Sequence, residues 1–370
     1  MTNIDEKEYF EQIKQLESDF KKISSKIQRT YPRANNLKSE KKKFLMAIAD
    51  DKFYNPTFEF DEAQVTDEDI ENLRNFEVDT SNDLYGFKKL YKELAEHNIN
   101  WCLCLKNWGT DESSYYSIKF YGRPSFFLFK KAEKFCMEYK ADIVKFKRLT
   151  PKKVANRLKK FTKELTGDKI EISMEQLASK VNISPAKKLI KVDPEAEFTN
   201  LDLKRLKAHE IGVHYMRYYN GRKFKPKILN TGTANYTEIE EGLAVYNEEL
   251  KDVLSKAQMY IYSGRVIATY YSPKMDFYSV FEKLKELGFN DEVAFAITYR
   301  AKRNISDTSK KGGFTKDYVY FSGYHKVKSY AKRNDIKDLF IGKIKIEDIK
   351  VLRDYIDKNK DKIEFPEYDL

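Results

Sequence analysis

The sequence predicts a mostly helical α+β chain with a small sheet, built around one helix near its middle that carries histidines. Capped, amphipathic segments with apolar residues three and four apart dominate the 370 residues. Strand-like runs are few and short. The stretch LDLKRLKAHEIGVHYMRYYNG, from Leu201 to Gly221, holds two of the chain's four histidines, His209 and His214, with Glu210 beside the first.

Taken in order, residues 4–30 space Tyr9, Ile13, Leu16, Phe20, Ile23 and Ile27 as the apolar face of a helix without chemistry. Residues 1–52 form a helical N-terminal extension, and 53–370 form the main domain, with a C-terminal helical segment from about 331. Asn55-Pro56 breaks the chain, and FYNPTFEF is an extended entry into that domain. Thr66 followed by three acids marks a helix start. Asp83 to His97 is a further helix, with His97 as a C-terminal cap rather than a ligand. Asn100–Leu105 and Tyr115–Tyr121 are expected as strands, rich in aromatic and aliphatic residues. Ser125 caps the next helix, and Thr150-Pro151 opens another that ends at Gly167. Lys188–Val192 is a short strand ahead of the motif helix, whose own start is signalled by Thr199 with Asp202 three residues on.

Composition narrows the class. No apolar run reaches the roughly 18 residues of a membrane-spanning helix, and the acidic N-terminus lacks the apolar core of a signal peptide. Cys102, Cys104 and Cys136 form no paired framework, and Cys102 and Cys104 in WCLCL are expected on one buried face of a strand. These features indicate a reducing compartment, most simply the cytoplasm. The net charge is +11, and thirteen Lys or Arg against four Asp or Glu fall between Lys130 and Glu164. That segment is either a pair of solvated helix faces or an electropositive surface for an acidic partner.

The motif is HExxxH, one residue longer than the HExxH of common zinc enzymes. On a helix turning about 100° per residue, positions five apart lie about 140° apart and cannot meet one ion. The pair works only if the helix takes in an extra residue, as a π-bulge does. Gly212, inside the motif, is expected to supply the backbone freedom for it. His209 and His214 then offer two ligands of a catalytic zinc, and Glu210 offers a general base. The third ligand should be a carboxylate from a second helix. EEGLAVYNEELKDVLSKA is that helix, with Leu243, Val245 and Leu250 inward and Glu240 and Glu241 in its first turn. A carboxylate so placed is otherwise a helix cap.

HEIGVHYMRYYNG and EEGLAVYNE together resemble the microtubule-associated tyrosine carboxypeptidases and their bacterial relatives, the flavohaemoglobin-expression-modulating QEGLA-motif proteins. YRAKR at 299–303, GGFTKDYVYFSG at 312–323 and LFIGKIKIEDIKVL at 339–352 look like further family blocks, so the likeness covers most of 53–352. The resemblance implies a zincin-like metallopeptidase fold, mostly helical with a small sheet, for the main domain. It implies Zn2+ as cofactor, His209, His214 and Glu241 as its ligands, and Glu210 as the base. Glu241, rather than Glu240, corresponds to the glutamate before glycine in QEGLA.

A carboxypeptidase needs a cation for the substrate's terminal carboxylate, and Arg217, Arg300, Arg303 and Lys316 are candidates. Tyr320 is the candidate for oxyanion stabilisation. The Lys188–Val192 strand is expected to bind extended substrate along its edge. The leading reading is a zinc peptidase acting at or near the C-terminus of an acidic peptide or protein tail. The alternative is a catalytically silent, metal-binding regulatory or interaction protein. A nucleic-acid binder is the weakest reading, because no nucleic-acid motif is present, and no membrane partner is expected.

Overall fold

The computed structural model describes residues 4–139, 148–177 and 179–370. The centre of the Lys130–Glu164 basic segment lies outside the described residues. Helices account for most of the chain, with two small sheets inserted before the motif helix. Among the described residues no helix is long and apolar enough to cross a membrane.

Local chemistry sets most helix starts. Thr66 and Asp69 form a reciprocal capping box ahead of the helix Asp67–Arg74, and Thr199 and Asp202 form another ahead of Asn200. Ser125 accepts from the Leu128 amide, and Thr150 from the Lys153 amide with Pro151 in the first position. Gly167 ends the latter helix at φ 73°, a left-handed conformation that glycine adopts without strain.

The expected strands at 100–105 and 115–121 are helices instead, Phe87–Lys106 and Asp111–Tyr121. In the first, Leu90, Tyr91, Leu94, Ala95, Asn98, Trp101, Cys102 and Leu105 are buried at helical spacing straight through the WCLCL run. Cys104 is buried on a second face against Ser113, which mimics strand alternation. In the second, the buried seam is Ser113, Ser114 and Ser117 rather than the aromatics. Small hydroxyls bonded to Cys104, Asn304 and Thr315 pack this helix closely, and strand propensity does not register such a seam. His97 lies inside the first helix, its ring stacked 3.8 Å from Phe120, and is not a cap. The three cysteines are unpaired and buried, and burial pushes their thiols up to about 11 for Cys102 and about 12 for Cys104 and Cys136. Such thiols are poor nucleophiles.

The larger sheet orders its strands Glu171–Met174, Leu189–Val192, Val181–Ser184. The Leu189–Val192 strand is therefore central, parallel to one neighbour and antiparallel to the other. Both its edges are paired, so it cannot take up an extended substrate as expected. The second sheet pairs Arg148–Leu149 with Phe198–Thr199.

Two of the three apolar clusters meet at the motif helix. It places Val213 and Met216 in the largest cluster, with Tyr9, Leu90 and Ile356, and Leu203, Ile211 and Tyr215 in the cluster beneath the sheet. The N-terminal helix Glu6–Ser24 joins the first of these, and Tyr9 also donates 2.6 Å to Asp83. The glutamate helix, Tyr236–Leu250, contributes Leu243 to the largest cluster and Val245 to the third, around Phe44 and Phe281. Leu250, expected inward, is exposed. The helix begins at Tyr236, so Glu240 and Glu241 sit in its second turn and are not its caps.

A helix from Val319 to Ala331 crosses the glutamate helix at Gly242 and Gly323. A Cβ on either glycine would collide with the other helix's backbone. This crossing brings Tyr320, one turn before Gly323, alongside Glu241. Gly242→Ala is expected to lower unfolding free energy by about 3 kcal/mol or more, because backbone cannot yield as a side chain can. Urea denaturation measures it, and a loss under about 1 kcal/mol would mean the helices separate freely.

Candidate metal centre

The motif helix runs unbroken from Asn200 to Gly221, but its middle, Lys207–Tyr215, is a π-helix. The Met216 amide bonds the Ile211 carbonyl five residues back. The wider turn returns residues five apart to one face. His209 and His214 accordingly meet, their ring centroids 4.8 Å apart and nearly perpendicular.

Gly212 serves this helix for a reason other than backbone freedom, since it does not adopt positive φ. A Cβ there would collide with the Tyr368 hydroxyl and stand 2.8 Å from the Asn247 amide nitrogen. Asn247 bonds both the Ala208 carbonyl, at 2.8 Å, and Tyr368, at 2.9 Å. The C-terminal segment thus pins the widened turn through a gap only glycine leaves.

Each histidine has its outer nitrogen held by a carboxylate of the glutamate helix. His209 Nδ1 lies 2.8 Å from Glu248, and His214 Nδ1 lies 3.1 Å from Glu240. Their Nε2 atoms both face Glu241, whose Oε2 is 3.4 Å from one and 3.6 Å from the other. Those separations exceed a good hydrogen bond, and this buried oxygen has no hydrogen-bond partner. Donor atoms of His209, Glu210 and His214 all lie within 4.8 Å of one another.

The electrostatics are strongly coupled. Burial pushes the His209 imidazole down, but Glu241 and Glu248 outweigh it and hold it up to about 9. His214 is raised well above its ordinary value, burial being outweighed by Glu240 and Glu241. Burial raises Glu241, yet the two imidazoles hold it well below the carboxylate range. Lys343 and Arg217 do the same for Glu240.

Sequence alone does not single out Glu248 or Arg205. Glu248 is fully buried and bridges His209 to Arg205, with Arg205 Nε at 3.0 Å. Its signal was its position seven after Glu241, two turns along the same face of the glutamate helix.

The expected substrate cations do not all reach the site. Arg217 is fully buried, and its guanidinium bonds Glu240 at 2.5 Å and the carbonyls of Leu339 and Ile344 at 2.9 and 2.6 Å. It supports Glu240 from behind and is not free for a substrate carboxylate. Arg303 is buried against Asp317 and the ring of Tyr31. Arg300 pairs Asp317 in fork geometry at 2.7 and 2.8 Å but keeps part of its side chain exposed. Lys316 is half-buried in the same turn as Asp317. The Tyr320 ring stands roughly parallel to His209 at 6.5 Å, and burial holds its hydroxyl well above the ordinary phenol range.

A buried and a half-buried histidine facing one carboxylate, each ring steadied by a further carboxylate, form a donor set suited to a divalent metal. The family model described as "Microtubule-associated tyrosine carboxypeptidase" matches residues 5–369, and the chain belongs to that family. It is 31% identical over 168 residues to microtubule-associated tyrosine carboxypeptidase 1 of Rattus norvegicus, covering 43% of this chain and 35% of the relative. The mouse protein of the same name is 32% identical over 161 residues, covering 41% and 33%. For the human protein the identity is 31% over 161 residues, with the same coverage of 41% and 33%. The chain thus spans about a third of the length of the curated relatives it matches.

Proposed function

We propose that the chain is a zinc-dependent carboxypeptidase acting at the C-terminal end of an acidic peptide or protein tail. His209, His214 and Glu241 would hold the metal. The observation that carries this reading is the buried Glu241 oxygen, without a hydrogen-bond partner, at 3.4 and 3.6 Å from the two Nε2 atoms. Ligand atoms about 2.0–2.1 Å from a tetrahedral zinc lie about 3.3–3.5 Å from one another. Protein–protein hydrogen bonds would have drawn these atoms closer. Two imidazoles and one carboxylate also leave a fourth position for water, as catalytic zinc sites do.

When bound, the zinc would supply Lewis acidity toward water and the peptide carbonyl. Glu210, next to His209 in the π turn, takes the proton of the attacking water and returns it to the leaving amine. Glu248 and Glu240 keep the outer nitrogens of the two imidazoles occupied, which fixes ring orientation. The Tyr320 hydroxyl, protonated at any working pH, can donate to the developing oxyanion. The relatives' names supply the analogy for a C-terminal tyrosine as the residue removed. An acidic tail is supported by the helix Pro151–Thr166, which buries Val154, Leu158 and Phe161 and leaves Lys152, Lys153, Arg157, Lys159, Lys160 and Lys163 exposed. Its inner face packs in the same cluster as the motif helix, and its outer face offers an anion a run of positive charge.

The test is metal content together with cleavage of peptides ending in tyrosine. One zinc per chain is expected, falling well below one in Glu241→Gln, with cleavage lost alongside. The metal-free protein carries protons on imidazoles that zinc needs neutral, with His209 up to about 9. Zinc affinity should therefore rise from pH 6 toward pH 9, by about tenfold per unit for each proton displaced. Full zinc with no cleavage of any peptide points to the silent metal-binding reading, and no zinc at micromolar supply overturns both.

A further inference from the structure

Behind Tyr320 lies a group of charges that does not balance. Asp317 is a buried carboxylate bonded to Arg300 and Arg303. Arg265, from the helix Lys256–Tyr271, is a third guanidinium within range of the same carboxylate, and it depresses the Asp317 carboxyl along with the other two. Three cations therefore face one anion. Arg265 makes no ion pair among the described residues, and its Nε is buried without a hydrogen-bond partner. Burial and the neighbouring Arg300 both act against its charge.

Aromatic rings, rather than an acid, position this side chain. Tyr262 and Tyr320 stack with centroids 5.2 Å apart and planes 6° from parallel. The Arg265 guanidinium lies over both, 5.3 Å from the first centroid and 5.0 Å from the second. Ring faces orient a guanidinium without consuming its donors or neutralising its charge. An unpaired guanidinium in such a setting is costly to bury, and the cost falls when an anion arrives. The Tyr320 ring that holds it is the same ring that stands parallel to His209.

We propose that Arg265 is the residue that receives the substrate's terminal carboxylate, held ready by Tyr262 and Tyr320 one ring away from the histidine pair. This rests on the peptidase reading above and makes the free C-terminal acid, rather than an internal peptide, the recognised group. Arg300 and Arg303 share Asp317 and so are already answered, whereas Arg265 offers a vacant fork to a two-oxygen anion.

The experiment uses full-length Glu210→Gln protein, which should bind without turnover, and the probe N-acetyl-Glu-Tyr with its C-terminal amide. Calorimetry should give an acid-over-amide preference of about ten- to hundredfold, the range of a charge-assisted pair. Adding Arg265→Gln should bring the ratio close to one while the amide's affinity stays put, and Arg265→Lys should recover part of it. The thermal midpoint should fall little in either variant, since Asp317 keeps Arg300 and Arg303 as its ion-pair partners. An unchanged ratio in Arg265→Gln overturns the proposal, as does equal or unmeasurable binding of acid and amide by the parent, or loss of the ratio in Lys316→Gln alone. The two readings separate cleanly. A protein that prefers the acid but cleaves nothing sinks the peptidase function and keeps this site, and one that cleaves acid and amide peptides alike does the reverse.

Discussion

Glu210→Gln is expected to reduce peptide turnover by about 10²- to 10⁴-fold, the usual contribution of a positioned general base. Bound zinc, thermal midpoint and peptide affinity should stay at native values. The substitution preserves shape and removes only the ability to accept a proton. Glu210 is adjacent to His209 but its burial differs, being half-exposed where His209 is buried. It can therefore reach substrate and water without being needed to pack the helix. Single-turnover measurements separate the chemical step from product release. Retention of more than a tenth of native turnover would assign the base to another residue.

Arg217→Met carries the largest expected loss of stability, about 3–5 kcal/mol. The wild-type side chain is fully buried and neutralises Glu240 while satisfying the Leu339 and Ile344 carbonyls. Its removal leaves two carbonyls without donors and a carboxylate supported only by Lys343 and His214. Removing both charges in Arg217→Met/Glu240→Met should restore part of the loss, because an uncompensated buried ion is worse than none. Urea unfolding of the two variants measures this difference. A loss under about 1 kcal/mol would show that Lys343 alone suffices. Had Arg217 bound substrate, its replacement would have raised KM and spared stability.

What the chain declares in its sequence is the chemistry that acts over three or four residues. Thr66, Thr199 and Thr150-Pro151 announce their helices because a cap is satisfied by its immediate neighbours. The π-helix is legible because His209 and His214 are useless to each other on any regular helix. Where the deciding partner is distant, the sequence is silent or misleading. The serine seam of Asp111–Tyr121 means nothing until Cys104, Asn304 and Thr315 are alongside. Gly212 is read correctly as special but for the wrong cause, since Tyr368 is far along the chain. Arg217 and Arg265 look alike as sequence. One is enclosed by carbonyls and a carboxylate, and the other lies on two rings with no acid of its own.

The widened turn also fixes the angular setting of everything after it. Deleting one residue among Ile211, Gly212 and Val213 would yield HExxH and allow a regular helix. The wider turn absorbs the extra residue, so the remainder of that helix would keep nearly its present setting. Tyr215 would keep Asp168, which it bonds at 2.9 Å, and Arg217 would keep Glu240. The change would fall on the turn itself, where Gly212 faces Tyr368 and Asn247. The two spacings are thus local alternatives on one scaffold, each bringing its histidines to the same face.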